Sequence, residues 1–185
     1  MNWIVVVIAG WIALGMEVGL RDALQLGDKG IAPSFVLIYI AFIAAWARRP
    51  HALWTALILG IITDLLTNVP VTTGETITIV GVSGLSYTLA AYTAYILRAW
   101  MFRRNALAVA FMSAASALVA AALAVTLLKI RSAYDPIQVG GATAELGQRA
   151  ASALYTGVAA LVVVWVLNLL RPLFKFPQNA RGRRI

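Results

Sequence analysis

The stretch Ala106–Leu128, ALAVAFMSAASALVAAALAVTLL, contains no charged side chain. About 20 apolar residues in a helix cross a hydrocarbon core about 30 Å thick. The stretch therefore predicts a membrane-spanning helix. The rest of the chain agrees, because 62% of the 185 residues are hydrophobic and 12% are charged, whereas soluble domains carry about 25% charged residues.

Apolar runs on both sides of this stretch predict further helices within one domain, with no room for a second. The predicted fold class is an all-α integral membrane protein, a single bundle of six transmembrane helices. Pro33 would lie in the first turn of the second helix, and the polar segment from Lys129 to Gln148 would be an exposed loop. The predicted spans are 2–20, 31–47, 51–67, 76–97, 106–128 and 150–170, followed by a basic tail at 171–185.

The basic residues predict the orientation, because Lys and Arg are enriched in cytoplasmic loops. We expect a multi-pass protein of the bacterial inner (cytoplasmic) membrane with both termini cytoplasmic, a basic inner face toward anionic lipid and a neutral outer face. The net charge of +8 is then explained without nucleic acid. The inner face would hold Arg48, Arg49, Arg98, Arg103, Arg104, Arg171, Lys175, Arg181, Arg183 and Arg184.

The residues that most catalytic sites require are scarce. The chain has one histidine and no cysteine, so a nucleophile–base relay or a zinc site is hard to assemble. The motifs of serine hydrolases, zinc proteases and P-loop enzymes do not occur. The sequence therefore predicts a protein that is not an enzyme, with no catalytic, metal or cofactor-binding residue.

Two acids, Glu17 and Asp64, lie inside apolar runs, where an ionisable group is costly. Arg21 lies four residues after Glu17 on the same helix face, which favours an ion pair. Asp64 has no such neighbour and needs a partner from another helix, a protonated carboxyl, or hydrogen bonds in the following turn. Gly60, four residues before Asp64, would let a neighbouring backbone approach. The pair predicts a helix-packing site with a polar lock, and a mechanistic role for Asp64 stays open beside the structural one.

The fourth and fifth spans are rich in small residues, which let helices pack closely in lipid. We expect these residues to pack within the bundle, with docking of a partner helix as the alternative. Tyr87 belongs to a tyrosine stripe that could line a pocket but more often packs. The small residues include Gly81, Ser83, Gly84 and Ser86 in the fourth span, and Ser113, Ala114, Ser116, Ala117 and Ala120 in the fifth.

From its second to its fourth span the sequence resembles the bacterial rod shape-determining protein MreD family. The resemblance implies a non-enzymatic role in the elongasome, the complex that directs rod shape and lateral peptidoglycan synthesis. It implies an MreC-like single-pass partner, the RodA–PBP2 synthase pair and proximity to the MreB filament. The matching features are Pro33-Ser34-Phe35-Val36-Leu37, Arg48-Arg49-Pro50, Gly60-Ile61-Ile62-Thr63-Asp64-Leu65-Leu66, then Pro70 and Gly74, and the end Leu169-Leu170-Arg171-Pro172-Leu173.

The alternative is a substrate-binding subunit of an ECF-type vitamin or metal transporter, a class also built of six helices and thought to share the MreD fold. Ala9-x-x-x-Ala13 resembles the small-residue pattern with which such subunits dock their transducer. A binder of this kind should have an outward-facing pocket in which several polar groups converge. A membrane enzyme acting on lipid would need clustered acids, which are missing.

Overall fold

The computed structural model describes residues 1–27, 30–67, 69–70, 76–100, 105–134 and 141–176. These residues are almost entirely helical, which confirms the all-α class. A short antiparallel pair of strands, with Val69 opposite Ile77, joins the third and fourth helices. The elements are α1 (Trp3–Leu20), α2 (Phe35–Trp46), α3 (Arg49–Leu66), β1 (Val69–Pro70), β2 (Thr76–Ile77), α4 (Val82–Leu97), α5 (Ala106–Arg131), α6 (Ala142–Leu170) and a 3-10 turn (Arg171–Phe174).

α2 lies at the centre of the bundle. It contacts all five other helices, and every residue from Phe35 to Ala45 is buried. Its 12 residues correspond to a length of about 18 Å, which is shorter than the hydrocarbon core. Because protein surrounds it on all sides, α2 does not have to reach both surfaces of the membrane.

Three of the described helices are long and apolar enough to cross a membrane, namely Trp3–Leu20, Ala106–Arg131 and the segment Thr143–Phe174. α1 and α6 also expose large apolar side chains, such as Trp11 and Trp165, as expected of helices that face lipid. A bundle in which all six helices span the membrane therefore stays a prediction.

The second, third and fourth helices begin at other residues than the approximate spans 31–47, 51–67 and 76–97. α2 begins at Phe35 because Ser34 is its N-cap, with the Ser34 hydroxyl accepting from the Leu37 N–H at 3.3 Å. Pro33 therefore precedes the helix. α3 already begins at Arg49, so that Pro50 lies in its first turn, where proline is tolerated. α4 begins only at Val82, because the residues predicted as its first turn pair as β2.

The predicted exposed loop between the last two spans is also wrong where it is described. α5 continues to Arg131 and α6 already begins at Ala142. The polar start of α6 is helical and carries an ion pair between Glu145 and Arg149, one turn apart, at 2.9 Å. Polar residues in this segment therefore mark a helix that extends beyond the apolar region.

Small residues pack the helices of the bundle against each other, as expected. A Cβ added to Gly157 of α6 would lie 2.8 Å from the Ala114 Cβ of α5. Ser113 and Ser116 are fully buried and donate to carbonyls of their own helix. Ala13 of the predicted docking pattern is buried in the core.

The two chain ends lie at the same end of the bundle, where the Asn2 N–H donates to the Phe174 carbonyl at 2.9 Å. We call this the termini end. At the opposite end α1, α3 and α5 end and α2, α4 and α6 begin, and we call it the loop end.

Candidate functional site

Asp64 of α3 caps the start of α4. Its carboxylate is 3% exposed and accepts from the N–H groups of Gly81 at 2.7 Å, Ser83 at 2.9 Å and Gly84 at 3.3 Å. The first N–H groups of a helix have no partner within the helix, and the helix dipole favours a negative charge there. Of the three possibilities for Asp64, the structure shows a partner on another helix, and that partner is backbone.

Gly60 makes this contact possible. A Cβ added to Gly60 would lie 2.6 Å from the Ser83 carbonyl oxygen and from the Gly84 Cα, closer than real Cβ atoms come. The close approach expected at Gly60 is therefore confirmed. Gly81 was predicted to be one of the small residues that pack the fourth span. It precedes α4 instead, with a φ of 110°, a conformation that favours glycine.

Glu17 of α1 binds the start of α2, as Asp64 binds the start of α4. Its carboxylate accepts from the Val36 N–H at 3.2 Å. Arg21 attracts Glu17 electrostatically, but Arg21 is exposed and no close ion pair of the two is among the contacts of the described residues. The reason is that the unpaired amides at the start of α2 lie within reach of Glu17. Thr156 of α6 completes the site by accepting from the Ser34 N–H at 3.0 Å.

Arg98, at the end of α4, satisfies the other end of α2. Its guanidinium donates to the carbonyl oxygens of Ala47 at 2.6 Å and Ala44 at 3.0 Å and lies 3.8 Å from the ring centroid of Tyr95. Sequence reasoning placed Arg98 in a cytoplasmic connection and missed this contact. The available signal was an arginine directly after an apolar run, but the sequence gives no indication of which helix it contacts.

A cavity of about 830 Å³ opens at the loop end and is lined by parts of all six helices. Glu17, Arg21 and Asp64 border it. Tyr87 also lines the cavity and interacts with both acids and with the side chains of Ser34 and Thr63. Further polar lining comes from α6 and further apolar lining from α1, α2, α5 and α6. These residues are Glu145, Gln148, Arg149, Ser152 and Thr156, and Leu14, Leu37, Ala117, Ala120, Ala121 and Ala153.

Two other residues were predicted to belong to the site. Pro70 lies in β1, and Gly74 lies outside the described residues. Within the described part of the chain, no three His, Cys, Asp or Glu residues come close enough to hold a metal ion.

The termini end carries arginines stacked on aromatic rings. Arg49 lies 4.9 Å from the Tyr92 ring centroid and Arg171 lies 4.3 Å from that of Trp46. This end agrees with the basic face predicted from the sequence. The remaining basic residues assigned to that face, Arg103, Arg104, Arg181, Arg183 and Arg184, lie outside the described residues.

Comparison with known proteins identifies the family. The model of the family described as rod shape-determining protein MreD matches residues 1–173, a range that includes both capping acids, Arg98 and most of the cavity lining. No curated protein and no solved structure matches the chain, so the likeness to ECF substrate-binding subunits stays a prediction. Together with its long apolar helices, the match shows that this chain belongs to the MreD family of bacterial membrane proteins, which act in rod shape determination.

Proposed function

We propose that the chain is a non-enzymatic membrane scaffold of the elongasome. It controls rod shape and lateral peptidoglycan synthesis through an MreC-like single-pass protein and the RodA–PBP2 synthase pair. The observation that carries the proposal is the family match over residues 1–173.

The contacts of the buried charged side chains support a structural role for the chain. Asp64, Glu17 and Arg98 each bind backbone groups at a helix end, so they stabilise the bundle. A catalytic acid or base would instead have to reach the proton that it transfers.

The surface supports membrane partners. α1 exposes Ile4, Val7, Ile8 and Trp11 along one face, which a single-pass helix could cover as well as lipid. The stacked arginines at the termini end supply positive charge for anionic lipid and, on the cytoplasmic side, for an MreB filament.

The loop-end cavity has the converging polar groups expected of a binding subunit, but no comparison points to a transporter. The pattern Ala9-x-x-x-Ala13 would have to face a transducer, but Ala13 is 7% exposed and packs in the core. We therefore do not propose an ECF-type vitamin or metal transporter.

Affinity purification of the tagged chain from native membranes tests the scaffold. We expect an MreC-like protein, RodA and PBP2 to be recovered, and cells depleted of the chain to become round. Recovery of transporter ATPases without these proteins, or normal rods after depletion, would contradict the proposal.

Substitution of the capping acid gives a matched comparison. Asp64→Ala leaves three amides of α4 without their acceptor, so we expect reduced recovery of the MreC-like protein and loss of rod shape. Asp22→Ala, which removes an exposed acid at the same end of the bundle, should leave both unchanged. Equal behaviour of the two variants would show that the Asp64 cap does not support assembly.

A further inference from the structure

The loop-end cavity is large enough for a small molecule, and the proposed scaffold role does not use it. Binding sites for small molecules usually measure about 300–1,000 Å³, and this cavity measures about 830 Å³. A cavity with both charged and apolar walls in a membrane bundle has to be filled by water or by a molecule with matching chemistry.

The carboxylates that border the cavity are already bound to groups of the chain. Asp64 accepts from three backbone N–H groups and Glu17 accepts from the start of α2. Glu145 accepts twice from Arg149, from Nε at 3.2 Å and from Nη2 at 2.9 Å. The acceptors of the lining are therefore largely used by the bundle.

Donors are left over. The Arg21 guanidinium carries five N–H donors. It attracts Glu17 electrostatically, but it donates none of the hydrogen bonds found among the described residues. Arg149 gives two of its donors to Glu145 and keeps the others. α6 also begins at this end without a side-chain cap, and its start adds partial positive charge. The remaining guanidinium donors can therefore bind a phosphate or carboxylate group.

The inner wall has a different character. Leu37 of α2 packs with Ala117, Ala120 and Ala153 of the α5–α6 pair in one cluster, and these residues, with Leu14 of α1, form the inner wall of the cavity. The small alanine side chains leave space, and the surface that they present is apolar. A ligand that satisfies both parts of the cavity has an anionic head and an apolar body.

We infer that the loop-end cavity binds an amphipathic molecule with one phosphate or carboxylate headgroup, which lies at Arg21 and Arg149 while its apolar body packs against Leu37 and the alanines of α5. This inference does not depend on the proposed partners, and its test uses purified protein alone.

Thermal unfolding of the full chain in discs of uncharged phosphatidylcholine tests the inference. We expect decyl phosphate and decanoate to raise the melting temperature with saturation. Decanol lacks the charge and should bind at least about tenfold more weakly, because one charge-assisted hydrogen bond is worth that factor or more. Inorganic phosphate should also bind at least about tenfold more weakly, because it lacks the apolar chain whose burial is favourable.

Two substitutions and one control locate the site. Arg21→Gln should weaken decyl phosphate binding about tenfold, and Ala121→Leu should weaken it by filling the cavity. Arg131→Gln, at the exposed end of α5 and outside the lining, should leave binding unchanged. Circular dichroism confirms that the variants fold, and Arg21→Lys, which keeps the charge, should retain part of the affinity.

Each other result overturns the inference. Equal stabilisation by decanol would mean that the cavity binds apolar chains whether or not their headgroup is charged. Equal binding of inorganic phosphate would mean that an anion binds without the apolar wall. An effect of Arg21→Gln no larger than that of Arg131→Gln would place the headgroup elsewhere.

Discussion

At the scale of single residues, the ionisable groups inside the bundle bind the ends of helices. Glu17 binds the start of α2, Asp64 the start of α4 and Arg98 the end of α2. Each sign agrees with the helix dipole, since the acids lie at N-termini and the arginine at a C-terminus. The cost of burying these charges is thereby offset by backbone groups that would otherwise be unsatisfied.

Arg98 can be tested by removing its donors. Arg98→Met keeps the apolar stem but leaves the carbonyls of Ala44 and Ala47 without this partner, so we expect a loss of stability on the order of 2 kcal/mol. Thermal unfolding in detergent measures it. Arg48→Met, which removes an exposed arginine at the same end, is the control and should change stability little. If the two variants have the same melting temperature, Arg98 does not stabilise α2.

The sequence predicted that Asp64 needs a partner and that Gly60 lies in a close contact, because charge and size are properties of single residues. The sequence could not identify the partner of Asp64, because the N–H groups of Gly81 and Ser83 become available only when α4 begins there. The same lack of information affected Glu17. The sequence showed its attraction to the nearby Arg21 but not its hydrogen bond to the start of α2.

At the scale of elements, the contact between α3 and α4 depends on one missing side chain. Gly60→Ala would place a methyl group 2.6 Å from backbone atoms of α4, so the helices have to separate and we expect a loss of about 1–3 kcal/mol.

Gly147 of α6 is the matched position, because a Cβ added there meets nothing within 4 Å. Gly147→Ala should be neutral or stabilising by about 0.5–1 kcal/mol, since alanine favours a helix over glycine. Chemical or thermal unfolding of the two variants gives the comparison. A Gly60→Ala protein as stable as the Gly147→Ala protein would contradict the close packing of α3 on α4.

Helix boundaries were predicted less well than helices, for a physical reason. Hydropathy reports where a chain can enter lipid, whereas caps decide where a helix begins. Ser34 starts α2 later than the apolar run, and Gly81 starts α4 after β2. At α6 the error is opposite, because polar residues from Thr143 to Gln148 form helix beyond the apolar stretch.

At the scale of the whole molecule, the absence of native cysteine makes the orientation directly measurable. Thr143 at the loop end and Lys175 at the termini end are both exposed. In spheroplasts, a maleimide that cannot cross membranes should label Thr143→Cys from outside and Lys175→Cys only after lysis, because basic ends stay in the cytoplasm. The reverse pattern would refute cytoplasmic termini.

The membrane class and the helical fold could be predicted from hydropathy and charge. The position of α2 could not, because an apolar run that spans lipid and one enclosed by protein have the same composition. The cavity was equally hidden, since its lining comes from all six helices and from residues as distant as Leu14 and Thr156.

The enclosure of α2 also has a consequence for the order in which the protein is made. α2 leaves the ribosome before α4, α5 and α6, yet in the finished bundle Phe35 and Ile38 pack against Ala160 and Val164 of α6. During synthesis this face of α2 has to be covered by lipid or by the insertion machinery. The last helix to be translated therefore completes the burial of α2, so a nascent chain that lacks α6 still exposes the centre of the protein.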